Sequence, residues 1–249
     1  MVVTKFWYMH HLFRYKVAFF LVLSFLFTSN DTIAQLGGGR DNYNFRDFQK
    51  KAYYFGMTLG LNNSGYRLNQ STHFINNDSI NITEAAAGGG FILNGIINLK
   101  LGDFFDFRAL PGFAFSNRGF EFSNNDSSEL KKRSVESVFF EVPFLIRFKS
   151  APYKDKRAFM VAGMKYSYDV QSNSKTRDAK TLIKISPHDF QLEIGVGMQF
   201  FYPYFIFSPE IKYSRGVGNI LIYDDQLNES KVLENVVSQV ITLSFHFEG

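Results

Sequence analysis

Residues Phe190–Phe200 read FQLEIGVGMQF: Phe190, Leu192, Ile194, Val196, Met198 and Phe200 alternate with Gln191, Glu193, Gly195, Gly197 and Gln199. An apolar side chain at every second position is the period of a β-strand, whose neighbouring side chains point to opposite faces. One face of this strand is greasy and the other is small, polar or charged. Working outward, the same alternation recurs upstream in Tyr53–Leu61, Phe91–Lys100, Phe105–Ser116, Val138–Lys149 and Arg157–Tyr168, and downstream in Phe205–Ser214 and Val237–Phe247, which makes eight stretches. No charged residue falls on the apolar face of any of them. The opposite faces carry Arg108, Glu141, Arg147, Lys165, Glu193, Glu210 and Lys212, together with Gly56, Gly60, Gly112, Gly163, Gly195 and Gly197.

The connections alternate as well. Asn62–Gly90, Asn117–Ser137, Asp169–Asp189 and Arg215–Asn235 are long and rich in Asn, Ser and Asp, whereas Leu101–Asp103, Ser150–Lys156 and Phe201–Pro203 are short. An even strand number, alternating short and long connections, and strands apolar on one face only describe an outer-membrane barrel. Hydrocarbon offers the backbone no hydrogen-bond partner, so a sheet there must close on itself. The expected fold is therefore all-β: an eight-stranded antiparallel up-and-down transmembrane β-barrel over residues 53–249, with both termini periplasmic and the long loops extracellular. Eight strands leave a lumen that side chains fill, so the inward Glu, Arg and Lys are expected to form an internal salt-bridge network with the glycines making room for them. A soluble lipocalin-type barrel is the rival, but it would put the Gly-rich face in water and crowd the aromatic residues into the lumen. Pro111, Pro143 and Pro209 fall inside strands, and bulges are expected there. Tyr166, Tyr168, Tyr202, Tyr204 and Tyr213 lie near strand ends, where an interfacial aromatic belt belongs.

Composition agrees with a folded, aromatic-rich domain. The chain has 249 residues, 18% of them aromatic with 30 Phe, and 20% charged. It has no Cys, which excludes a disulfide scaffold, a thiolate metal site and a lipid-anchored N-terminal Cys. At the N-terminus, Lys5, Arg14 and Lys16 precede the apolar run Val17–Phe27, followed by Thr32-Ile33-Ala34. This predicts a secretory signal peptide, residues 1–34, cut after Ala34; a retained signal anchor is disfavoured because the apolar run is too short to span. Cleavage would lower the 27 cations to 24 and the 23 anions to 22, leaving a net charge of +2, so the basic balance gives no support to nucleic-acid binding. Residues 35–52 would form a periplasmic N-terminal segment, either a docking element or a tail tucked against the barrel rim.

No constellation commits the chain to catalysis. His73, His188 and His246 are far apart in sequence, and none has a second ligand at metal spacing. His188 with Asp169 or Ser172 at the barrel mouth has the residue types of a lipid-modifying hydrolase, a combination that such loops contain by chance. Gly37–Gly39 and Gly88–Gly90 lack the Lys-Ser/Thr ending of a phosphate loop and read as flexible backbone. Asn81-Ile82-Thr83 matches a glycosylation triplet, a weak pattern. No catalytic residue, cofactor, metal site or small-molecule substrate is expected.

Four stretches carry a family resemblance: NYNFRDFQKKAYYFGMTLGLN before and within the first strand, FDFRALPGFAFSNRGF, FFEVPFLIRFKS, and FIFSPEIKYSRGVGNIL on the seventh. The chain resembles the PorT (SprT) family of Bacteroidota outer-membrane barrels from about Tyr43 to Phe247. The F-x-x-F-Q-K-K-x-Y-Y-F-G and S-P-E-I-K-Y-S-x-G-x-x-N patterns are the discriminating pieces; the E-x-P and P-G pieces are shared with the wider barrel family of that phylum. The resemblance implies a non-enzymatic component of the type IX secretion system, which exports proteins bearing a C-terminal signal domain and, in gliding members, surface adhesins. Its partners would be other secretion or cell-envelope proteins and outer-membrane lipid. The expected contact residues are Tyr43, Phe45, Phe48, Lys50 and Lys51 in the N-terminal segment and Gly216, Gly218 and Asn219 after the seventh strand. A generic OmpX-like barrel with a structural or adhesive role is the alternative.

Overall fold

The computed structural model describes residues 42–70, 80–124, 131–171, 185–222 and 233–249. The expected signal peptide, residues 35–41, His73 and Ser172 lie outside the described residues. A short helix, α1 (Tyr43–Gln49), precedes nine strands: β1 (Tyr53–Gln70), β2 (Ile80–Lys100), β3 (Phe105–Ala109), β4 (Gly112–Asn124), β5 (Lys131–Lys149), β6 (Lys156–Asp169), β7 (His188–Phe201), β8 (Ile206–Gly216) and β9 (Leu233–Glu248). All pairings are antiparallel between neighbours, and β1 pairs with β2 on one side and β9 on the other. The sheet thus returns to its first strand, β1 pairing with β2 over Tyr53–Ser64.

The nine strands are eight staves. On β2, a step of three residues from Ile97 to Asn94 is matched by three from Ala109 to Gly112, so β3 and β4 continue one register across Leu110-Pro111. The expected bulges at the prolines are absent: Pro143 stands opposite Lys165 and Pro209 opposite Phe245 without any shift. The reason lies in the ladder. A residue in an antiparallel strand turns its N–H and C=O to the same neighbour, so proline removes one donor from one seam and leaves the other whole. Pro143 accepts from Leu110 N at 3.1 Å and Pro111 from Gly95 N at 2.8 Å, and the shared loss on adjacent staves is what divides β3 from β4.

Two expected loops are also largely strand. β1 and β2 run to Gln70 and from Ile80, and β4 and β5 to Asn124 and from Lys131, so Asn62–Gly90 and Asn117–Ser137 are mostly paired. About 9–11 residues cross a bilayer, and these staves are longer. Beyond the apolar band both faces can be polar, so the period of two fades while the hydrogen-bond ladder continues. Gly88–Gly90 lies inside β2 beside a register shift between Ala87 and Gly90. A Cβ on Gly88 would stand 2.0 Å from the Asn117 carbonyl oxygen, so close strand approach, rather than flexibility, asks for glycine there.

The face assignment holds along every stave. On β7, Phe190 is 63% exposed and Leu192 56%, while Gln191 and Glu193 are buried. Outward aromatic residues pair across seams, as in Phe105–Phe148 at 5.2 Å and Phe113–Phe140 at 5.5 Å between ring centroids. This wall faces apolar surroundings, which removes the soluble lipocalin-type rival. The lumen is less uniformly polar than the period suggests. Ile96, Leu110, Leu145, Phe159 and Val161 form a buried cluster on one side of it. Gly197 seats this wedge, since a Cβ there would lie 2.4 Å from the Phe159 ring.

Candidate functional site

Against that wedge the lumen is lined by charge, the Arg147 guanidinium lying 5.3 Å from the Phe159 ring centroid. Glu141 Oε1 lies 3.3 Å from Lys165 Nζ, which is 3.3 Å from Glu193 Oε1. Lys212 Nζ links Glu193 Oε2 at 3.7 Å to Glu210 Oε1 at 3.5 Å. Arg108 then joins Glu210 Oε2 at 3.6 Å to Glu248 Oε1 at 2.5 Å. Arg147 lies 3.4 Å from Glu248 and 2.5 Å from Asp106 Oδ2, and Lys149 pairs with Asp106 Oδ1. Signs alternate without a break along Glu141, Lys165, Glu193, Lys212, Glu210, Arg108, Glu248, Arg147, Asp106 and Lys149. Neutral groups brace this column. Ser214 Oγ donates to Glu193 at 2.7 Å, Ser167 Oγ to Glu141 at 3.2 Å, and Arg147 Nη2 to Asn98 Oδ1 at 3.2 Å and to the Tyr54 hydroxyl.

All seven charges singled out in the sequence stand in this column. Asp106, Lys149 and Glu248 complete it but were not singled out. Asp106 and Lys149 share the inward period with Arg108 and Arg147, which was an available signal. Glu248 lies one residue past the last apolar position of β9, where the alternation gives out.

The short-turn end is closed by α1. Tyr153 and Lys156 exchange hydrogen bonds of 2.8 and 3.0 Å across Lys154-Asp155, whose φ values are 49° and 55°. Positive φ at both central residues is the geometry of a tight hairpin turn, and aspartate tolerates it better than most residues. The turn also supplies what the helix lacks. Asn42 makes no side-chain cap to α1. Instead Asp155 Oδ1 accepts from Phe45 N at 3.0 Å, and Asp155 N donates to Asn42 Oδ1 at 3.0 Å. Asn44 Nδ2 donates to the Phe201 carbonyl at 3.1 Å. Phe45 and Phe48 then bury their rings against Phe201 and Ile206, the Phe45–Phe201 centroids lying 5.1 Å apart.

The expected contact residues are therefore divided between two ends of the barrel. Phe45 and Phe48 pack into the barrel end instead of standing free, which leaves little of either ring exposed. Lys50 and Lys51 are exposed beside them. Tyr43 starts α1, and its side chain is outside the described residues. Gly216 is buried at the end of β8. Gly218 is exposed, and Asn219 binds its own surroundings, donating to the Glu234 carbonyl at 3.0 Å and accepting from Leu221 N and Val236 N.

The histidines do not converge. His246 Nδ1 lies 2.7 Å from Thr58 Oγ1 inside the lumen, and His188 Nδ1 lies 2.7 Å from the Tyr166 hydroxyl on the surface. Asp169 is not the partner of His188; its Oδ1 accepts from Gln171 N at 2.9 Å. Asn81-Ile82-Thr83 lies within β2, with Ile82 opposite Ser123 and Thr83 opposite Phe122.

Among solved structures, the chain is similar to the outer membrane protein OprG from Pseudomonas aeruginosa, at 10% identity over 79% of this chain and 95% of that one, with a TM-score of 0.49. It is also similar to Ail, the attachment invasion locus protein of Yersinia pestis, solved with the heparin analogue sucrose octasulfate, at 14% identity over 80% and 100% of the two chains and a TM-score of 0.39. Neisserial surface protein A shares 10% identity over 78% and 96%, with a TM-score of 0.39. No curated protein matches the sequence. The sequence profile of the outer membrane protein beta-barrel domain matches residues 33–221, most of the chain. With its paired strands, lipid-compatible wall and inward charges, the chain belongs to the outer membrane protein beta-barrel domain family and is an integral outer-membrane protein.

Proposed function

We propose that this barrel is a non-enzymatic component of the type IX protein secretion system, needed for export of proteins that carry the C-terminal signal domain and, where present, gliding adhesins. It acts by binding other envelope proteins and conducts no cargo itself. The observation that carries this reading is the filled lumen: a continuous ion-paired column, an apolar wedge packed against it and α1 across the short-turn end. A protein cannot pass through such an interior, so the work falls to the surfaces at the ends. The discriminating sequence patterns support the system assignment, since F-x-x-F-Q-K-K-x-Y-Y-F-G spans α1 and the start of β1, and S-P-E-I-K-Y-S-x-G-x-x-N spans β8 and the segment after it. In this reading the short turns and α1 face the periplasm, and Lys50 and Lys51 offer a basic contact to a periplasmic or membrane-bound partner.

Comparative proteomics of culture supernatant and cell surface, from a clean deletion and its complemented strain, tests the proposal. Loss of C-terminal-signal proteins from the outside with accumulation in the periplasm is expected. Unchanged export with altered surface adhesion would return the protein to a generic structural or adhesive barrel.

A further inference from the structure

The alternating column is neutral: five carboxylates, Glu141, Glu193, Glu210, Glu248 and Asp106, face five cations, Lys165, Lys212, Arg108, Arg147 and Lys149. Arg157 stands next to its lower end and is not matched. It is only 6% exposed, and no carboxylate among the described residues pairs with it. Its Nε and Nη2 donate instead to one neutral oxygen, Gln199 Oε1, at 3.1 and 2.8 Å. Aromatic rings cover its guanidinium, with the centroids of Phe45 and Phe201 at 5.3 and 5.4 Å. Asp106 is already shared between two cations, its Oδ1 accepting from Lys149 and its Oδ2 from Arg147.

Beside Arg157, under α1, is a cavity of about 10 Å³ whose lining includes Lys100, Lys149, Tyr54, Phe45 and Ile206. Three cationic side chains thus surround it against one carboxylate already shared. A buried charge without a partner is costly, and a cavity of this size admits one species close to water in size. We propose that this cavity binds a single small monovalent anion of halide size, held by Arg157 and by the ammonium groups of Lys149 and Lys100. The anion neutralises the excess charge and lies directly beneath the Phe45 and Phe48 rings of α1, so it belongs to the closed short-turn end. The same electrostatic demand could be met by a carboxylate, and the test separates the two sources.

The mature chain, folded in detergent micelles, is crystallised and soaked in sodium bromide for anomalous diffraction. One bromide peak in contact with the Arg157 guanidinium is expected in the wild type and none in Arg157→Gln. In parallel, the thermal midpoint is followed while chloride replaces gluconate at fixed ionic strength. It is expected to rise saturably in the wild type, to be flat in Arg157→Gln, and to need several-fold more chloride in Lys100→Gln. Lys100→Gln keeps the test open if Arg157→Gln does not fold, because Lys100 sits at the half-buried rim. A bromide peak that persists in Arg157→Gln, the absence of any peak in the wild type, or a rise with formate and none with halide would each overturn the halide site.

Discussion

Among the described residues, Arg147 has four lumenal dependants. Asp106, Glu248, Asn98 and the Tyr54 hydroxyl all take hydrogen bonds from it, and it is fully buried. Arg147→Met keeps most of the volume but leaves two carboxylates with one fewer cation, and removing one partner of a buried pair costs about 3–5 kcal/mol. The expected loss is of that size in urea unfolding of the micelle-embedded protein, followed by heat-modifiable gel migration. Glu141→Gln, at the end of the column with a single cation partner, is expected to cost clearly less. At this scale much was legible, because a charged residue inside an otherwise apolar alternation announces that it faces away from lipid. Arg108, Arg147, Lys165 and Glu193 are readable in this way. Which carboxylate meets which cation was not, since Arg108 and Glu248 are 140 residues apart and meet only through the closure of the sheet.

At the scale of the element, β7 and α1 make opposite demands. The outward face of β7 is set by hydrocarbon, so Ile194→Arg is expected to destabilise the barrel in lipid by about 2–4 kcal/mol, the cost of an arginine near the bilayer midplane, measured by reversible unfolding from vesicles. α1 is seven residues long and too short to be stable alone. It depends on Phe45 and Phe48 against Phe201 and on the Asp155 carboxylate. Phe45→Ala with Phe48→Ala is expected to raise the rate of tryptic cleavage after Arg46 about tenfold while the barrel itself stays protease-resistant, read by mass spectrometry. The staves were legible wherever one face meets lipid. Their outer extensions were not, because beyond Ser64 and Gly88 the β1–β2 pairing ends and the apolar period is lost, while β1 stays paired with β9 and β2 with β4. The prolines misled for a related reason: Pro143 and Pro209 break individual hydrogen bonds, whereas register is held by every other residue on the stave. α1 escaped notice as a helix because its capping residue, Asp155, is 110 positions away from Phe45.

The whole molecule is a wall that fits a membrane around an interior lined, among the described residues, by ion pairs and apolar packing. In the proposed function the contacts with other proteins lie at its ends, and the two ends differ. The long-loop end carries exposed Gly218 beside Asn219, whose side chain is committed to the local backbone, while the short-turn end presents Lys50 and Lys51 on a segment docked by buried rings. Binding through the short-turn end is the central claim. It is tested most directly by placing a photocrosslinking residue at Lys50 or Lys51 in the native host, with Gly218 and the lumenal Lys212 as comparison sites. Discrete crosslinked envelope proteins from positions 50 and 51 and none from 212 are expected. Adducts from position 218 with none from 50 or 51 would contradict the claim.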